Sequence, residues 1–335
     1  GTTSLYVEPA GDVFAPNSPY WISVTAPPVQ QPAAYALGKN QQGAVQVDLG
    51  PDFSNPSGAI VTLTSSDPAR VLLSRSQTAP GSASIAVSVP AGDRRTQTVY
   101  MQAMEAGTAS ISASGISQPV ATVQVAQSWW TCGGQPVKLV LRTAQTLSCW
   151  LKSTASTSSL SVSVRPGLED LNLKFSSSDS AVFTVTPESV AISGGYIQTT
   201  LTPIREGTGE FRVQQPAGFG PSPDGSDVQQ VSVTPPKLAA GCFSSDGALG
   251  KDMQITCKVP AASGVMVTAT SEDPNLLVVS SSEKSLGAAS ASATADLQGA
   301  SITFQGLGGY GTTEVILSAP GYLDQRIPVA LRGSG

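Results

Sequence analysis

Four cysteines stand in two local pairs, Cys132 with Cys149 and Cys242 with Cys257. Neither pair has the spacing of a zinc site, so the chemistry on offer is oxidation to disulfides. Four cysteines permit three pairings, and one local bond per pair is the simplest. Such bonds imply an oxidising compartment. Histidine is absent, which removes Ser-His and Cys-His nucleophiles and imidazole-rich metal sites together. Ser281-Ser282-Glu283-Lys284 matches a Ser-x-x-Lys signature. That chemistry needs its serine at a helix start in an α/β setting, whereas this one follows a strand pattern among serines and alanines, so the match is read as chance. Asp224 with Asp227 and Glu169 with Asp170 are the acid pairs to weigh for glycoside chemistry. They fall in loops that read as solvated turns, and no catalytic residue, cofactor site or metal site is expected.

Aromatic residues offer a second kind of chemistry. Trp129 and Trp130 are adjacent and Trp150 follows Cys149. On a strand, one of two neighbours faces in and the other out. The inward tryptophan is expected in the core beside Cys132 and Cys149. The outward one is expected to wedge a domain junction, with a stacking platform for a glycan as the alternative.

These residues must be positioned by strands. A glycine-threonine step followed by an alternating segment recurs at Gly107-Thr108, Gly207-Thr208 and Gly311-Thr312, with a further copy at Gly1-Thr2. From each glycine, positions +4 (Leu5, Ile111, Phe211, Val315) and +6 (Val7, Ala113, Val213, Leu317) are apolar. That period of two marks a strand with one buried face. The copies lie 106, 100 and 104 residues apart (107 − 1, 207 − 107, 311 − 207), the spacing of a domain array.

Composition agrees with strands. Charged residues make up 12% of 335, with 33 glycines and 25 prolines, and serine and threonine supply the polarity. Such a blend favours short strands and turns over helices. The net charge of −5 offers no basic face for nucleic acid. No apolar run approaches the ~18 residues of a membrane span.

A second motif lies upstream of each Gly-Thr step. Val61-Thr62-Leu63-Thr64-Ser65-Ser66-Asp67-Pro68, Leu171 to Ser180 around Asp179, and Val267 to Pro274 around Asp273 each run an alternating strand into an aspartate turn. Such an aspartate bonds to the backbone two residues on; a role in holding calcium between domains is the weaker reading, since no Asp-x-Asp cluster accompanies it. Together, the Ser-Ser-Asp-Pro turn, a valine-rich strand and a Gly-Thr-Ala-Ser-Ile strand resemble bacterial immunoglobulin-like domains of invasin/intimin-type surface proteins.

The resemblance implies an all-β fold of tandem immunoglobulin-like sandwiches in an elongated array. Expected domains are 28–126, 127–236 and 237–335, the last two with a disulfide each. Residues 1–27 read as the final two strands of an incomplete repeat, strand candidates Ser4–Glu8 and Tyr20–Thr25. The implied role is structural or adhesive, non-enzymatic, on a bacterial surface or outside the cell. Expected partners are a second copy, head-to-tail through residues 1–27, and a glycan or protein ligand.

Overall fold

A computed structural model describes residues 3–4, 21–22, 32–134, 136–154, 160–168, 171–241 and 248–333. The chain divides into two compact units, one of residues 1–128 with 152–169, the other of 129–151 with 170–335. All the regular elements described are strands.

The first unit carries one complete sandwich. Its larger sheet runs Ala33–Gly38, Ala121–Ala126, Gly107–Ala113, Ala59–Ser65, Ser84–Val89 in spatial order. Its smaller sheet runs Val162–Val164, Gln41–Val45, Val99–Ala103, Val71–Ser74. Between them lies a core in which Leu37, Leu63, Leu73, Met101, Ile111 and Val123 are fully buried. Separately, Thr3–Ser4 pairs antiparallel with Trp21–Ile22 as a two-stranded sheet.

The second unit holds two more sandwiches of the same plan. One combines Val137–Val140, Val228–Thr234, Gly207–Gln214, Asn172–Ser177, Ser189–Ala191 with Ser128–Cys132, Gln145–Ser153, Tyr196–Pro203, Phe183–Thr186. The other combines Ala248–Gly250, Gln325–Arg332, Gly311–Ser318, Met266–Ser271, Ser290–Thr294 with Gln254–Val259, Ala300–Gly306, Leu277–Ser280. In all three sandwiches the opening strand of the larger sheet runs parallel to the last strand of the repeat. The other strand pairs with a described register are antiparallel, and antiparallel pairs can be joined by short turns.

Alternation decides which face is buried. Ile111, Phe211, Val315 and Leu317 are fully buried, and Ala113 and Val213 nearly so, as their two-residue period requires. Outward positions use hydroxyl pairs across strands where other sheets use charges: Thr64 with Ser84 (2.9 Å), Thr268 with Ser292 (2.8 Å) and Thr270 with Ser290 (3.0 Å). Cross-strand hydroxyl bonds stabilise a sheet modestly without net charge, which fits the charge-poor composition.

Each repeat turns at its aspartate. The carboxylate of Asp67 accepts from Ala69 N (3.1 Å), that of Asp179 from Ala181 N (2.9 Å) and that of Asp273 from Asn275 N (3.0 Å). These are the bonds two residues on that the motif leads one to expect. In the first sandwich's smaller sheet the ladder occupies Gln41–Val45, where Gly43 and two glutamines pair as readily as the valines beyond them. The strand Ala33–Gly38 carries no clear alternation in its sequence.

Candidate functional site

Cys132 and Cys149 form a disulfide across the neighbouring strands Ser128–Cys132 and Gln145–Ser153. It closes a 17-residue separation. Cys257 is also disulfide-bonded; Cys242 lies outside the described residues.

The three tryptophans have different surroundings. Trp130 is fully buried. Gln215 clamps its backbone, accepting from Trp130 N and donating to Trp130 O, both at 2.8 Å. A side-chain amide thus reproduces the two bonds of a strand partner. The indole N–H of Trp130 has no acceptor among the described residues. Trp129 is half-buried. Trp150 is 41% exposed and Tyr196 is 50% exposed. These two are register partners on adjacent strands, with ring centroids 6.1 Å apart at 51°.

The aromatic pair heads a row of uncharged polar side chains, with the exposed Lys152 flanking Trp150 on its other side. Behind it on the same two strands come Ser148 opposite Gln198, then Thr146 opposite Thr200. Ser148 Oγ lies 3.0 Å from Tyr196 Oη, Gln198 Nε2 donates to Ser148 Oγ (3.4 Å), and the two threonine hydroxyls are 3.2 Å apart. Two rings and a row of amide and hydroxyl groups can stack on an apolar ring face and bond to hydroxyls. The backbone beneath is held rigidly, since Trp150 adjoins the bonded Cys149. Sequence reasoning finds Trp150 but misses Tyr196, whose partnership depends on register.

A second constellation joins the two sandwiches of the second unit. The Arg142 guanidinium lies 4.6 Å over the Tyr322 ring, a cation–π contact. Tyr322 Oη accepts from Ala262 N (2.7 Å), and Leu323 N donates to Pro236 O (2.9 Å).

The remaining sequence candidates resolve into turns. Asp224 accepts from the Ser222 hydroxyl and from Ser226 N (3.0 Å). The Ser222 hydroxyl, with Ser226 aiding it, lowers its carboxyl to about 2. Ser282 Oγ accepts from Lys284 N (3.2 Å) in the turn after Leu277–Ser280, a strand exit and not a helix start. Glu169 and Asp170 lie outside the described residues. Among the described residues no group of three His, Cys, Asp or Glu is placed to hold a metal ion, and no helix is long and apolar enough to cross a membrane.

Fold and motif placement together define tandem immunoglobulin-like β-sandwiches, with the aspartate turn and the Gly-Thr step in equivalent places in each. No family model and no curated protein matches the chain in sequence. Among solved structures it is similar to FdeC, an Escherichia coli adhesin, at 14% identity and TM-score 0.27, over 88% of this chain and 97% of that one. Domains 4–9 of the surface layer protein SbsC match at 13% and 0.27, over 84% of this chain and 40% of that one. The Yersinia pseudotuberculosis adhesin InvE matches at 12% and 0.23, over 61% and 58%. The chain therefore spans less than half of the SbsC fragment.

Proposed function

We propose that this chain is a structural and adhesive module displayed outside a bacterial cell, non-enzymatic, with the three repeats 28–126, 127–236 and 237–335 serving as spacer domains. The observation that carries this reading is the repetition of one sandwich plan three times, each with the same turn and the same parallel closing pair. Serial sandwiches transmit load and set distance without needing a reaction centre. The disulfide Cys132–Cys149 supports an extracellular setting, since such bonds persist in oxidising compartments.

Stretching the intact chain by atomic force spectroscopy tests the spacer role. Discrete unfolding of whole sandwiches is expected, and a reductant should lengthen the second sandwich's step by the residues between Cys132 and Cys149. Continuous extension without steps would reject it.

The adhesive half of the reading rests on Trp150, Tyr196, Ser148 and Gln198, which suit a neutral glycan. Full-length protein coated on beads should retain on a neutral-glycan array, and the Trp150→Ala, Tyr196→Ala double variant should lose that retention. Equal retention by both would remove the glycan from the proposal and leave a protein ligand.

Filament assembly through residues 1–27 is a second reading. The two-stranded sheet of Thr3–Ser4 with Trp21–Ile22 favours it, since such a sheet is marginal by itself and gains from strand addition by a second copy. Deleting residues 1–27 should abolish fibres seen by electron microscopy; unchanged fibres would reject it.

A further inference from the structure

The first sandwich is completed by a strand from far down the chain. In the second sandwich the place beside Gln145–Ser153 is taken by Ser128–Cys132, the repeat's own leading strand. In the first, the equivalent place beside Gln41–Val45 is taken by Val162–Val164, antiparallel, with Val162 opposite Gly43, Ser163 opposite Gln42 and Val164 opposite Gln41. Those partners are 119 to 123 residues apart in sequence (162 − 43 and 164 − 41). Arg165 N extends the ladder by donating to Asn40 O (3.0 Å).

The slot is shaped for its occupant. Gly43 leaves a flat spot over which Leu160 lies, and a β-carbon there would come within 3.0 Å of Leu160 Cδ1. Leu160 and Val162 both pack on the first core. The ligand pattern is therefore an extended segment, Leu-x-Val-x-Val, whose main chain augments the sheet edge.

The edge itself is built to be uncovered as well as covered. A strand meant only for permanent burial is apolar, yet Asn40, Gln41 and Gln42 are polar and buried. The two glutamine amides are tied chiefly within the first unit's main body. Gln41 Oε1 accepts from Gly38 N (2.7 Å), Gln42 Nε2 donates to Gln77 O (2.8 Å), and Gln102 Nε2 donates to Gln42 Oε1 (3.3 Å). Toward the inserted segment 152–169 there are two longer bonds, Gln42 Nε2 to Ser163 Oγ and Gln41 Nε2 to Lys152 O (both 3.3 Å). Releasing the strand thus leaves a formed, water-compatible edge.

The occupant is short and held at a cost. All three of its residues are half-buried. Arg165 is carried in with it, and its Nε is buried with no hydrogen-bond partner among the described residues. Burial pulls the guanidinium below its ordinary range, against the pull of Glu105. An unpartnered buried donor weakens whatever buries it.

We propose that Val162–Val164 is an exchangeable strand, and that the edge Gln41–Val45 is a surface through which one copy of this chain joins a second copy. A second copy brings the same Leu160, Val162 and Ser163 to the same slot, so every contact is conserved. Only effective concentration separates the two arrangements, and crowding on a surface shifts it toward exchange between copies. This goes beyond the adhesive reading, since it requires neither residues 1–27 nor a ligand.

Sedimentation of the full chain across a wide concentration range tests the exchange. A concentration-dependent dimer is expected, and the Leu160→Asp, Val162→Asp double variant should abolish it. A monomer at every concentration, or a dimer that survives the double variant, would overturn the proposal. Cysteine trapping then identifies the contact, as the described native cysteines leave no free thiol. Mixing Gln42→Cys protein with Ser163→Cys protein under mild oxidation should yield a 42–163 bond between copies. The chain carrying both changes is the geometric control. A bond within that chain, with none between copies in the mixture, would also overturn it.

Discussion

Val182 lies across Gly207, so near that a β-carbon on the glycine would stand 3.0 Å from Val182 Cγ2. Leu276 lies across Gly311 in the same way (3.1 Å to Cδ1), and Arg70 crosses Gly107. In each repeat the crossing residue is the third after the turn aspartate. The aspartate turn and the Gly-Thr step are therefore two halves of one contact. The glycines have φ of 135°, 153° and 144°, a region that side chains disfavour.

Replacing Gly207 or Gly311 by alanine should destabilise its sandwich by about 1–3 kcal/mol, through strain at positive φ compounded by the missing space. Thermal melting checks this, with Gly309→Ala as the control, since a β-carbon there meets only Lys251 at 3.9 Å. Equal effects at all three positions would refute the contact.

Removing the Cys132–Cys149 bond by a double serine substitution should cost about 3 kcal/mol, the chain-entropy value for a loop near this length. Chemical denaturation of the variant measures it. No change in the transition of the second sandwich would refute it.

Trp130→Ala should destabilise by about 3–5 kcal/mol, as expected for emptying an aromatic core position. Trp130→Phe should cost much less, because the indole N–H has no acceptor to lose among the described residues. Trp150→Ala should stay within ~1 kcal/mol. Denaturant midpoints of the three variants give the order.

Asp224 titrates low in the folded chain, to about 2 against an ordinary 3.8. A depressed folded value means stability present above the unfolded pKa and lost as pH falls through the folded one. Its contribution should therefore fade between about pH 4 and pH 2. Asp224→Asn should flatten that part of the acid-unfolding profile, and an unchanged profile would count against the Ser222–Asp224 bond as the cause.

The sequence by itself determined what local chemistry controls. Alternation marked Ile111, Phe211 and Val315 as buried, since a strand's side chains can only alternate. Asp67, Asp179 and Asp273 announced their turns because the bond they make spans two residues. The cysteine spacing pointed to Cys132–Cys149 for the same local reason. Tertiary structure decided everything that depends on register or distance. Tyr196 became the partner of Trp150 only through the pairing of two strands. Gly43 and Leu160 met only when residues 152–169 folded with the first unit. A backbone ladder accepts almost any residue, so Val162–Val164 carries no mark in its sequence of which edge it will cover. Burial of Leu160 and Val162 against the first core, a long-range packing energy, makes that choice.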